Sequence, residues 1–203
     1  DNIMVLSHIW GLYTHPKTEW DRIDHDKESF FSSLMHVILL AFIPALSAYY
    51  SAVYIGWQIA NGPVTTLSSQ SGLVLAAAMY LALIAGVFAL AALIKWMAVT
   101  FGATPSFTHA MELAAYTSTP LFMVGFVALY PELWAMTLAG LAGLCYAVYL
   151  LYTGVPIMMH IPEDRGFIYA SAVVTSGLVL LVVVMASFAI LITNNLLPVV
   201  NLM

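Results

Sequence analysis

The sequence predicts an all-α integral membrane protein, in which five transmembrane helices are preceded by a short cytoplasmic helical segment that is amphipathic and charged. Two observations carry this prediction. Apolar residues make up 63% of the chain and charged residues only 7%, whereas about a quarter of an ordinary soluble domain is charged. The apolar residues also run in stretches of the length that a bilayer requires, about 20 residues per helix. Water is therefore not the solvent of most of the chain.

Five apolar stretches meet this length requirement, and turn residues or charges separate them. The predicted spans are residues 33–58, 72–100, 107–129, 133–159 and 167–193. We divide the chain into a cytoplasmic N-terminal helical segment at 1–32 and a five-helix transmembrane domain at 33–203.

The segment before the first span divides into two parts. Residues 3–13 are rich in aliphatic and aromatic side chains but too few to cross a bilayer, which predicts a helix lying on the inner leaflet. Folding against the bundle is the alternative. Pro16 suits the first position of a second helix, and the charged run that follows predicts a cytoplasmic helix leading into the first span.

Basic residues set the predicted orientation. With the N-terminus in the cytoplasm, every Lys and Arg falls on the cytoplasmic side, as the positive-inside rule requires. Five spans then place the C-terminus on the opposite side. The basic residues are Lys17, Arg22, Lys27, Lys95 and Arg165.

Composition and missing motifs argue against several classes of protein. A net charge of -5 with only five Lys and Arg residues argues against a nucleic-acid partner, because phosphate binding needs a basic patch. The lone Cys145 rules out a disulfide framework. The chain contains no G-x-S-x-G elbow, no H-E-x-x-H helix and no glycine-rich phosphate loop. We therefore predict that it is not an enzyme.

Carboxylates and imidazoles near the predicted cytoplasmic side form a hypothetical metal site. Four of them share a helical spacing of i, i+3, i+4 and i+7, which divalent cations accept; a solvated acidic stripe is the alternative interpretation. Two more pairs lie at the ends of later spans. If the helix ends converge, all could contribute to one site for zinc or a similar ion. The candidate ligands are Asp21, Asp24, His25, Glu28, His109, Glu112, His160 and Asp164.

Lys95 and Glu112 are the charged groups farthest inside the apolar stretches. Their similar distance from the turn at 102–105 predicts an ion pair between adjacent antiparallel helices. The alternative is that Lys95 reaches the headgroups while Glu112 lines a wet crevice.

Three segments carry a family resemblance: LSHIWGLYTHP near the N-terminus, TPLFMVGFVALYPELW between spans three and four, and YLLYTGVPIMM at the end of span four. They resemble the YohC-like bacterial inner-membrane proteins of the Yip (Ypt-interacting protein) superfamily. The resemblance implies a five-helix domain in the inner membrane, with a cytoplasmic N-terminus and a periplasmic C-terminus. Eukaryotic relatives bind small GTPases through longer cytosolic regions, and we do not carry that role over.

Two functions are compatible with these observations. The first is a non-enzymatic scaffold that lies in the lipid bilayer, forms homo-oligomers through faces of small residues and organises an unknown protein partner. The alternative is a transporter or channel for a divalent cation such as zinc, with the His and carboxylate groups as its entry site. A transporter should carry polar groups onward to the outer side, where this sequence offers mainly hydroxyl groups.

Overall fold

The computed structural model describes residues 2–26, 29–56 and 64–193, which form seven α-helices. Short π-helical or 3-10 turns extend three of them, at Ser51–Ile55 after the third helix, Val99–Phe101 after the fourth and Gly125–Leu129 after the fifth. The helices are α1 (Asn2–Thr14), α2 (Pro16–Asp26), α3 (Phe30–Tyr50), α4 (Ser69–Ala98), α5 (Phe107–Val124), α6 (Leu133–Met158) and α7 (Glu163–Thr193).

Five of these elements are long and apolar enough to cross a membrane, which confirms the predicted number of spans. A shorter helical segment precedes them, also as predicted. The first span begins at Phe30 rather than at residue 33. The spans are Phe30–Ile55, Ser69–Phe101, Phe107–Leu129, Leu133–Met158 and Glu163–Val183.

Serine side chains form the N-caps of three of the spans. Ser29, Ser68 and Ser106 each accept a hydrogen bond from the backbone N–H three residues later, which satisfies one of the free donors at a helix start. Because Ser29 caps α3, a new helix begins at Phe30, and the structure describes α2 as far as Asp26. The predicted charged helix corresponds to α2, which precedes the first span.

α5 is the central helix of the bundle. It contacts α3, α4 and α6, and every residue from 110 to 120 is buried. Over the hydrophobic stretch of α5, 56% of the residues are buried, compared with 11% for α4. The polar side chains at 112 and 117–119 on α5 therefore lie inside the protein, whereas few residues of α4 are fully buried.

One end of the bundle, which we call the polar end, is where α3, α5 and α7 begin and α4 and α6 end. α2 packs here against α6. Lys17 Nζ lies 3.9 Å from Glu163 Oε1, and Arg165 lies beside Gly102 in the turn after α4. The described basic residues thus share one end, as the predicted orientation requires, whereas Lys27 lies outside the described residues. The side of the membrane that this end faces stays a prediction.

α1 folds against the bundle with one face. Leu12 is buried, and its carbonyl oxygen accepts a hydrogen bond of 2.8 Å from the Tyr146 hydroxyl. The Tyr13 ring stacks on the Tyr146 ring at 5.2 Å, and burial, with a smaller effect of Tyr146, raises the pKa of the Tyr13 hydroxyl above its usual value. Trp10 is 73% exposed on another face. The helix is therefore packed on the protein rather than lying on lipid alone.

Candidate functional site at the polar end

The charged helix α2 buries one face against the bundle. Glu19, Trp20 and Ile23 are buried and Asp24 is partly buried. Spacings of one, three and four residues place these side chains on the same side of the helix. The opposite side is exposed and carries Lys17, Asp21, Arg22 and His25.

Trp20 fixes α2 to the bundle. Its indole is fully buried, its Nε1–H donates a hydrogen bond of 3.2 Å to Thr153 Oγ1 on α6, and it meets the Tyr116 ring edge-on at 6.4 Å. A Cβ added at Gly154 would lie 2.7 Å from Trp20 Cε2. The absence of a side chain at Gly154 therefore makes the space that the indole fills.

Asp24 joins α2 to the ends of two spans. Its Oδ1 lies 2.9 Å from His109 Nε2 on α5, and its Oδ2 lies 2.9 Å from His160 Nε2 at the end of α6. The two imidazole rings are 6.2 Å apart and nearly parallel. Each imidazole can donate its Nε2–H to one carboxylate oxygen, and hydrogen bonds to an ionised acceptor are stronger than neutral ones.

His160 occupies an unusual backbone position. Its φ of 51° makes it the one described non-glycine residue with a positive φ. Helices commonly end on a left-handed residue, but that residue is usually glycine or asparagine. A histidine in this conformation costs free energy, and here its imidazole reaches Asp24. The strained position is therefore associated with a specific side-chain contact.

Glu112 lies behind His109 inside the bundle. It is fully buried, and its Oε2 lies 3.6 Å from His109 Nδ1. Lys95 is instead exposed on α4, with its ammonium 5.9 Å from the centre of the Phe107 ring, a cation–π distance. The predicted ion pair between Lys95 and Glu112 is therefore wrong, because Lys95 points outward whereas Glu112 lies in the interior.

A second pair of ionisable side chains joins α1 to α2. His8 Nδ1 lies 2.5 Å from Glu19 Oε1, and both residues are buried. The other oxygen, Glu19 Oε2, lies 3.4 Å from Arg22 Nη1. A Cβ added at Gly11 would lie within 2.1 Å of Glu19 Oε2, so the glycine lets the carboxylate pass close to α1.

A third imidazole lies deeper in the bundle. His36 on α3 is buried, and its Nε2 lies 2.9 Å from Thr119 Oγ1 on α5. The Tyr116 ring lies 4.7 Å from the His36 ring and 6.0 Å from the His8 ring. Tyr116 therefore lies between the His8–Glu19 pair, which joins α1 to α2, and His36 inside the spans.

The structure brings four of the eight predicted ligands together: Asp24, His109, Glu112 and His160. Asp21, His25 and Asp164 are exposed, and Glu28 lies outside the described residues. His25 lies beyond the edge of the buried face of α2 and is exposed to solvent, whereas Asp24 is partly buried. The set formed by Glu112, His109, Asp24 and His160 is called the Asp24 cluster below.

Among residues 2–26, 29–56 and 64–193, no three His, Cys, Asp or Glu side chains are grouped so that they could hold a metal ion. In the Asp24 cluster, the imidazole nitrogens point at carboxylate oxygens, whereas zinc ligands point at a shared centre about 2 Å away. The predicted zinc site stays a prediction.

The sequence analysis did not propose His8, Glu19, Trp20, His36 or Tyr116 as candidate site residues. One signal was available for α2, since Trp20 and Ile23 are apolar residues three positions apart in a charged run. Such spacing indicates a buried helix face, which would also contain Glu19 and Asp24.

Comparison with known proteins agrees with this architecture. The family model described as the Yip1 domain matches residues 10–184. The chain is 38% identical over 187 residues to "Inner membrane protein YohC" of Escherichia coli strain K12, covering 92% of this chain and 96% of that protein. The protein of the same name from Escherichia coli O6:H1 matches to the same extent. No solved structure matches the chain. The predicted resemblance is confirmed, and the chain belongs to the Yip1 domain family.

Proposed function

We propose that this chain is a multi-pass protein of a bacterial inner membrane that acts without catalysis, as a self-associating scaffold that organises partner proteins. The names of its relatives, which are inner membrane proteins, support the location. The observation that carries the proposal is the outward face of α4.

α4 is the least buried of the five spans, with 11% of its hydrophobic stretch buried. Ala77, Leu81 and Ala85 are exposed along one side at intervals of four residues. Helices in lipid associate mainly by close packing, which small side chains permit. This face is therefore suited to a second copy of α4.

The distribution of buried polar side chains favours a scaffold over an ion-conducting pathway. The buried ionisable side chains of the described residues, His8, Glu19, His36 and Glu112, lie on α1, α2 or the polar-end halves of α3 and α5. Near the far end of the bundle, the buried polar side chains that are described belong to serines: Ser47, Ser51 and Ser71. Ionisable side chains inside a membrane bundle mark ion pathways, and those of the described residues do not continue to the far end.

Disulfide cross-linking in membranes tests self-association through α4. In a Cys145→Ser background, which removes the native free thiol, we expect Ala85→Cys to form covalent dimers on mild oxidation. The matched control is Leu46→Cys on α3, which is also exposed but lies on a helix that we do not place at the interface. We expect this variant to remain monomeric.

Two results would contradict the proposal. One is the absence of dimers from both Ala77→Cys and Ala85→Cys. The other is equal dimer formation by Leu46→Cys, which would indicate random collision in the bilayer.

The Asp24 cluster favours cation transport as a second candidate function. Carboxylates and imidazoles alternate from the fully buried Glu112 through His109 and Asp24 to His160, whose side chain is 70% exposed. Such chains of titratable groups occur where protons or ions enter membrane proteins. Zinc could replace the hydrogen bonds between the imidazoles and Asp24 if the side chains rotated toward a common ion.

Zinc titration by calorimetry on the detergent-purified chain tests this candidate. If the Asp24 cluster binds zinc, we expect saturable binding that His160→Gly abolishes. Glycine removes the imidazole and is suited to the positive φ at this position. The control His25→Ala removes an exposed imidazole on the other side of α2 and should leave binding unchanged. No binding above the detergent background, or equal binding by His160→Gly, would remove the cluster as a zinc site.

A further inference from the structure

Four spans surround an apolar groove with a volume of 450 Å³. α4 and α7 contact each other at the polar end, where the Tyr169 hydroxyl donates a hydrogen bond to the Ile94 carbonyl oxygen. The groove lies beyond this contact, toward the far end. On its α7 side, Leu178 is 40% exposed and Leu181 is 45% exposed. The groove is therefore open to the surroundings of the bundle.

The groove is long. It extends along α4 from Leu75 to Leu90, which is about 22 Å at the rise of an α-helix. This length suits a single extended chain that lies along the helix.

The volume also suits a long hydrocarbon chain. An apolar cavity of about 150 Å³ remains dry and binds benzene, which has six carbons. A groove of 450 Å³ is about three times as large, and by this comparison it holds about eighteen carbons.

The lining of the groove is apolar and favours a hydrocarbon ligand. Thr117 and Ser118 are the only lining residues with polar side chains, and the Ser118 hydroxyl donates to the Ala114 carbonyl oxygen at 2.8 Å. The walls belong to membrane spans, so the medium at the opening is the acyl region of the bilayer. We propose that the groove binds one acyl chain of a membrane phospholipid, drawn from the leaflet at the far end. This site is separate from the α4 face proposed for self-association.

Photolabelling of the full chain tests the site. The protein is reconstituted in vesicles of phosphatidylethanolamine and phosphatidylglycerol with a trace of phosphatidylglycerol that carries a diazirine in the middle of one acyl chain. After irradiation, mass spectrometry compares adducts at groove-lining residues such as Leu83, Leu90 and Leu178 with adducts on the exposed face of α3, at Leu39 and Leu46. We expect the groove residues to carry several-fold more adducts.

A substitution that fills the groove gives the decisive comparison. Gly86 lines the groove, and a Cβ added there meets no atom within 4 Å, so Gly86→Phe should place its ring in the groove and lower groove adducts to the level of α3. The control Gly140→Phe also has open space at the Cβ but does not line the groove. It should label like the wild type. If Gly86→Phe fails to fold, Gly177→Leu fills the groove from α7.

Three outcomes would overturn the proposal. Even labelling of all lipid-facing helices would indicate ordinary contact with bulk lipid. Unchanged groove adducts in folded Gly86→Phe and Gly177→Leu would place the lipid elsewhere. Groove residues that stay unlabelled while Leu39 and Leu46 are labelled would show that a partner, rather than lipid, fills the site. Cross-linking through Ala85→Cys is measured separately, so either proposal can fail without the other.

Discussion

Trp20→Ala is expected to lower the free energy of unfolding by about 3–5 kcal/mol, the range for removal of a large buried aromatic side chain. The reason is that the indole fills the space beside Gly154, contacts Tyr116 and donates a hydrogen bond to Thr153. Its loss should also release α2, so that trypsin cleaves after Arg22 much faster than in the wild type. Thermal unfolding in detergent and timed proteolysis measure the two effects.

The matched control is Trp10→Ala. Trp10 belongs to the neighbouring helix α1 but is 73% exposed, so its removal should change stability by less than about 0.5 kcal/mol and leave cleavage after Arg22 unchanged. If both variants behaved alike, or if Trp20→Ala kept the wild-type melting temperature, the assignment of Trp20 as the residue that fixes α2 would be incorrect.

The number of spans could be predicted from the sequence because length and apolarity are local properties. Turn residues between the apolar stretches also placed the second, third and fourth spans to within a few residues. Alternation of spans brings every second connection to the same end. For this reason, the meeting of His109 with His160 near the N-terminal segment could be anticipated, although their shared contact with Asp24 could not.

The rotation of α2 about its own axis could not be predicted from its spacing alone. The spacing of Asp21, Asp24 and His25 allows all three to lie on one stripe. Burial of Trp20 and Ile23 sets which face of α2 meets the bundle, and it turns Asp24 inward. The space that receives Trp20 comes from Gly154 on α6, a contact between residues distant in the sequence. The same limit applies to His8 and Glu19, whose contact depends on the packing of α1 against α2.

The direction of Lys95 shows another limit. Similar depth on adjacent helices is necessary for an ion pair, but it does not set the side of the helix on which each side chain lies. Lys95 faces outward beside Phe107, whereas Glu112 faces the core. A long side chain can reach the headgroup region, so the exposed position of Lys95 removes the need for a buried counter-ion.

Gly125→Ala is expected to destabilise the protein by about 1–3 kcal/mol, the usual cost of overpacking a filled interior. A Cβ at this position would lie 2.5 Å from Pro44 Cα and 2.8 Å from Pro44 N. Both are backbone atoms of α3, so the clash cannot be relieved by rotating a side chain. The φ of Gly125 is -52°, which alanine adopts readily, so the expected loss is steric.

Gly140→Ala separates this effect from any general effect of replacing a glycine in a span. A Cβ at Gly140 meets no atom within 4 Å, and the backbone entropy lost by glycine on folding favours alanine. We expect this control to melt at or slightly above the wild-type temperature, while Gly125→Ala melts several degrees lower. Equal melting temperatures would mean that α3 and the turn after α5 can move apart at Pro44 without loss of stability.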